Sequence, residues 1–108
     1  MAKSRKVFAV HPGEILKTEF MEPMGVSAYA LAEALNFSGI YEVVRGDRVI
    51  SADTALRLGK YFGLPAQFWL NLQNDYDLRI AEGSGVAKGI KPRAIAYDAE
   101  LADSRGGA

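Results

Sequence analysis

Arg45 and Arg48 stand three positions apart on a short stretch that also carries Tyr41 and Glu42. A guanidinium presents a planar fork of N–H donors, which fits two phosphate oxygens or the O6 and N7 edge of guanine. Two such forks on the outer side of a short helix suit a rod that lies in a major groove. His11 is the only histidine, and there is no cysteine. A metal centre or an activated nucleophile needs converging partners, and none accompanies His11. Its place before Pro12 suggests a residue leading into a helix. Asp75, Asp77, Arg79 and Glu82 read as surface charge, and Glu14, Glu19 and Glu22 with Lys17 among them read as a solvated helix face. No nucleophile, base and oxyanion donors come together, so no enzyme, metal or cofactor is expected.

The arginines need a rigid mount, and the chain punctuates one clearly. Pro12 suits a first helical turn, with Ile15, Leu16 and Phe20 on one face and Pro23 and Gly25 ending the helix near residue 22. Ser27 caps a second helix, Ala28–Leu35, with Tyr29, Leu31, Ala32 and Leu35 as its apolar positions and Asn36 as the left-handed residue after it. A third helix takes Ser38 or Gly39 as its cap and runs through Ile40, Val43 and Val44 to Arg45, stopping at Gly46. Ser51 caps a fourth, with Asp53 in the first turn, Ala52, Ala55, Leu56 and Phe62 as the buried stripe, and Gly63 closing it. Pro65 opens a fifth, through about residue 81, with Phe68, Trp69, Leu72 and Tyr76 at helical spacing. This pattern predicts an all-α domain over residues 11–82. Residues 1–10 form a basic arm with Lys3, Arg5 and Lys6. Residues 83–108 form a flexible, glycine-containing tail in which 90–97 could dock.

Bulk composition fits that plan. With 108 residues, 49% hydrophobic and 24% charged, the chain suits one globular domain. The 13 basic and 13 acidic residues cancel, which argues against a purely non-specific nucleic-acid binder but allows arginines focused on one face. The missing cysteines fit a reducing cytosol, and no apolar run suits a membrane span or a signal peptide.

Two helices crossing steeply need a small residue at the crossing, a left-handed corner and an inward apolar pair on the second helix. Ala32, Asn36 and the pair Ile40 and Val43 meet these needs. The outer side then presents Gly39, Tyr41, Glu42 and Arg45, with Arg48 just beyond. An ordinary helical hairpin packed for stability meets them too, so the pattern leaves both readings open.

Three stretches carry a family resemblance: His11-Pro12-Gly13-Glu14-Ile15-Leu16, then Ile50-Ser51-Ala52-Asp53-Thr54-Ala55-Leu56-Arg57-Leu58, then Phe68-Trp69-Leu70-Asn71-Leu72-Gln73 with Tyr76-Asp77-Leu78. From His11 to Ala81 the chain resembles the HigA-like antitoxins, a branch of the XRE helix-turn-helix family with the lambda-repressor fold. The resemblance implies a five-helix, lambda-repressor-like domain that represses its own operon as a homodimer on double-stranded operator DNA. It also implies a cognate, small, ribosome-dependent RNA-cleaving toxin, and a bacterial cytoplasmic location. Such a toxin must be basic, so Glu14, Glu19 and Glu22 could alternatively dock it.

The expected DNA-facing set is Ser27, Tyr29, Ser38, Gly39, Tyr41, Glu42, Arg45 and Arg48, with both arginines on phosphates. The expected dimer contacts are Phe68, Trp69, Leu72 and Tyr76, and they would set half-sites about 34–36 Å apart. One departure falls at the turn, where Ala32 to Ile40 is eight positions, two fewer than the family pattern. A shorter recognition helix, a rearranged turn, or a loop lacking two mobile residues would each produce it. The alternatives to an antitoxin are an orphan repressor without a toxin, and a protein-interaction module that no longer binds DNA.

Overall fold

A computed structural model describes residues 9–93. The basic residues of the expected arm, and the tail from residue 94 onward, lie outside the described residues. Among the described residues all regular structure is helical, in five rods. Helix α1 is made of α-helical Pro12–Ile15, π-helical Leu16–Met21 and α-helical Glu22–Met24. It is followed by α2 (Ala28–Leu35), α3 (Ile40–Arg45), α4 (Ala52–Phe62) and α5 (Ala66–Ser84).

The punctuation acts largely as its chemistry demands. His11 Nδ1 accepts from the Gly13 N–H at 2.9 Å, so the lone histidine is the N-cap of α1. Ser27 Oγ accepts from Ala30 N at 3.0 Å and Ser51 Oγ from Thr54 N at 3.2 Å, capping α2 and α4. Asn36, at φ 53°, closes α2 and is the only non-glycine residue with positive φ among those described.

Pro23 departs from expectation because it lies inside α1. A proline has no N–H to give, but the wider turns ahead of it shift the ladder, and Glu22 N–H already reaches back to the Lys17 carbonyl. The stop comes at Gly25 (φ 67°), with Val26 N–H donating to Met21 O at 2.9 Å. Helix α5 is also longer than expected and runs through Gly83 and Ser84.

Leu16, Leu31, Leu35, Ile40, Val43, Ile50, Leu58 and Trp69 form the core. Each such side chain contributes about 1.5–3 kcal/mol by leaving water. Phe20, Phe62 and Phe68 ring Trp69 with centroids 4.9–5.7 Å from its own, mostly tilted or edge-on, which joins α1, α4 and α5.

The buried face of α4 is rotated from the expected stripe. Ala52 and Leu56 are exposed, while Thr54, Ala55, Leu58 and Gly59 are buried. Gly59, at the edge of that face, permits a tight return into α5, since a Cβ there would lie 2.5 Å from the Leu64 carbonyl oxygen.

Candidate nucleic-acid interface

Helix α3 is short, yet three supports fix it. Ile40 and Val43 are fully buried, as their spacing requires. From behind, the first turn of α1 comes so close that a Cβ on Gly13 would fall inside the Val43 carbonyl oxygen and lie 2.9 Å from its carbon. Only glycine permits that approach. From below, buried Gln73 of α5 accepts from Ile50 N–H at 2.7 Å through Oε1 and donates through Nε2 to Asp77 at 3.0 Å. The segment after α3 is thereby tied to α5.

The shortened turn is built around an aromatic ring. Phe37 folds back over Gly39, where a Cβ would sit 2.6 Å from Phe37 Cε1. The first backbone bonds of the following segment span three residues, Ile40 N to Phe37 O, Tyr41 N to Ser38 O and Glu42 N to Gly39 O. A tightened turn thus leads into a six-residue α3.

The guanidinium groups of Arg48 and Arg57 both lie over the Phe37 ring, at 5.7 and 5.6 Å from its centroid. Arg57 is otherwise structural. It donates to the carbonyls of Leu35 and Asn36 at 2.8 and 3.1 Å and pairs with Asp53, bolting α4 to the end of α2.

Most of the expected DNA-facing residues are at the surface. Ser27, Tyr29, Ser38, Tyr41, Arg45 and Arg48 are exposed and Glu42 is half-buried. Tyr29, which counted as an apolar position of α2, is 67% exposed, and it borders an open groove with Ser38 and Tyr41. Gly39 is a correction. It is buried under Phe37 and offers no surface to a duplex.

The face carries both signs of charge. Arg45 Nε pairs with Asp47 at 3.1 Å, and Arg48 Nε with Glu42 at 2.7 Å. Between residues 27 and 51 the carboxylates Glu33, Glu42 and Asp47 outnumber the two arginines. Both pairs are exposed, and neither contributes much to stability.

His11 packs edge-on against Tyr76 with centroids 4.9 Å apart, and next to Gly46 at the end of α3. Burial lowers its pKa from the ordinary 6.5, with Asp77 and Asp47 pulling the other way. A neutral imidazole suits an Nδ1 that accepts a hydrogen bond. Among the described residues no group of three or more His, Asp or Glu could hold a metal ion.

Of the expected dimer contacts, only Trp69 is withdrawn from the surface, while Phe68, Leu72 and Tyr76 are half-buried. Trp69 is fully buried in its own subunit, which corrects its assignment to a partner surface. Phe68 and Leu72 pack against the core and Tyr76 against His11. Further apolar surface at this end of the chain comes from Leu78, Ile80, Val86 and Ile90, each 42–73% exposed. Leu78, Ala81, Val86 and Lys88 line an open groove of about 730 Å³ there. Helical spacing four positions beyond Tyr76 was the available signal for Ile80. For Phe37 and Arg57 the sequence carried no signal beyond residue type.

A five-helix frame that holds a short rod behind a left-handed Asn corner defines a helix-turn-helix protein. No protein-family model matches the chain. Virulence-associated protein I of Dichelobacter nodosus is 60% identical over 76 residues, covering 68% of this chain and 70% of that one. Antitoxin HigA-1 of Vibrio cholerae is 41% identical over 71 residues, covering 64% and 67%. Among solved structures, the Pseudomonas aeruginosa antitoxin HigA with higBA promoter superposes with a TM-score of 0.75. It is 44% identical, over 79% of this chain and 98% of that one. The chain belongs to the HigA family of helix-turn-helix antitoxins.

Proposed function

We propose that this chain is an antitoxin that binds operator DNA as a homodimer, represses its own operon and neutralises an RNA-cleaving toxin in the bacterial cytoplasm. The observation that carries the reading is the exposed outer side of α3, with Arg45 and Arg48, on a frame shared with a HigA bound to its promoter. Ser27 and Tyr29 at the start of α2 flank the duplex, where free N–H groups and the helix dipole favour phosphate. Tyr41 and Glu42 border the groove, and Arg45 grips phosphate. The second copy docks at the end of α5, through Leu78, Ala81 and Val86, because these apolar groups line one open groove outside the core. No helix among the described residues is long and apolar enough to cross a membrane.

The decisive experiment is a mobility shift with the DNA upstream of the coding sequence, alone and with the product of the adjacent gene. Operator binding and a ternary or released complex support the reading. A second reading, a protein-interaction module without DNA binding, is favoured by the short α3 and the surplus of carboxylates between residues 27 and 51. No shift at moderate salt, with capture of the neighbouring product intact, would select it.

A further inference from the structure

The two arginines of the interface are held differently, and the difference assigns them different work. Arg45 and Asp47 are 60% and 63% exposed, and they meet at 3.1 Å with no other support among the described residues. Such a pair opens at little cost when a phosphate offers itself. Arg48 is constrained twice: Nε donates to Glu42 Oε1 at 2.7 Å, and the guanidinium lies over the Phe37 ring. Its side chain is 47% exposed and that of Glu42 is 43% exposed. Among the described residues nothing bonds to Nη1 or Nη2, so the terminal edge of the fork is fixed in direction and free to donate.

Charge decides between the acceptors. Arg48 and Glu42 together carry no net charge, so the pair gives little of the counterion release that drives phosphate binding. A Glu42 carboxylate kept beside a phosphate would also repel it. A fork aimed by a carboxylate does its work where direction matters, at the O6 and N7 acceptors of a guanine.

We infer that Arg48 reads a guanine edge in the major groove, and that Glu42 and Phe37 are positioning residues that aim it. The inference rests on the operator-binding reading above and replaces the phosphate role expected for Arg48. The aromatic turn thus orients a residue beyond α3. Phe37 can do this because Gly39 leaves room for its ring.

The test uses the full chain and a set of duplexes carrying the DNA upstream of the coding sequence, with each base pair replaced in turn. The wild type should lose about tenfold or more in affinity when one particular G·C pair of each half-site is replaced. Arg48→Lys, Glu42→Gln and Phe37→Leu should flatten the response at that pair and leave the other positions ranked as before, with Phe37→Trp restoring it. Arg45→Lys should leave the response at that pair intact. Thermal melts of each variant identify those that fail to fold, and the Phe37→Trp rescue then carries the test.

The inference is overturned if Arg48→Lys weakens every duplex by the same factor. It is equally overturned if Arg48→Ala reduces the salt slope by about one with base discrimination unchanged. A wild type that binds none of the duplexes overturns the operator reading and this inference with it.

Discussion

Replacing Gln73 with Met tests how the interface is anchored to the rest of the molecule. Gln73 is 5% exposed, and its Oε1 is the acceptor for Ile50 N–H, itself in a residue 2% exposed. Methionine keeps the length and nearly the volume of the side chain but takes away the acceptor. The Ile50 donor is then buried without a partner, which costs about 1–3 kcal/mol. For a domain of this size each kcal/mol moves the melting temperature by about 4–8 °C, so a fall on the order of 10 °C is expected. Gln73→Glu serves as the comparison. It retains an acceptor for Ile50 but sets a second carboxylate 3.0 Å from Asp77, where the amide had donated. That variant should be unstable at neutral pH and recover as the medium is acidified. Thermal denaturation followed by circular dichroism measures both. A Gln73→Met protein that melts with the wild type, or a Gln73→Glu protein indifferent to pH, would refute the reasoning.

Other consequences follow from single contacts. Gly13→Ala drives a methyl into the Val43 carbonyl and pushes α1 off α3, so stability should fall by about 1–3 kcal/mol and DNA affinity with it; unchanged melting and binding would count against the close approach. Burial holds the His11 pKa below 6.5, so the unfolded chain takes up a proton first. Its contribution is therefore complete above about pH 6.5 and is lost as the pH falls through the depressed folded value. His11→Asn still offers a cap, so the melting temperature should fall less between pH 7.5 and 5.5 than in the wild type; parallel curves would contradict this. Arg57→Met leaves the Leu35 and Asn36 carbonyls without their donor and should cost about 1–3 kcal/mol, read by urea denaturation, with a result within error of wild type contradicting the bolt.

The fold was legible wherever a residue type dictates backbone geometry. Ser27, Asn36, Gly46, Ser51 and Gly63 all stand at the helix ends their chemistry requires, and α2 and α4 have the expected bounds. Pro23 misled because a π-helical segment lets a proline sit inside a helix, a compensation made by the backbone and invisible in residue order. Leu56 misled because helical periodicity gives the width of an apolar stripe but not its rotation, and here the buried face centres on Thr54, Ala55 and Leu58.

At the interface, the outward placement of Tyr41, Arg45 and Arg48 followed from Ile40 and Val43 facing inward. Gly39 could not be placed by periodicity, since its burial depends on the Phe37 ring folding back across the turn. The inward turn of Trp69 is a tertiary outcome as well, fixed by Phe20 and Phe62 from two other helices.

The most direct test measures the affinity of the full chain for its own upstream DNA across a salt series, with and without Arg45→Ala and Arg48→Ala together. An exposed α3 that lies against the duplex should give tight wild-type binding, a loss of about tenfold or more in the double variant, and a shallower dependence on salt. Identical affinities and identical slopes would place the DNA, if it is bound at all, on some other side of the molecule.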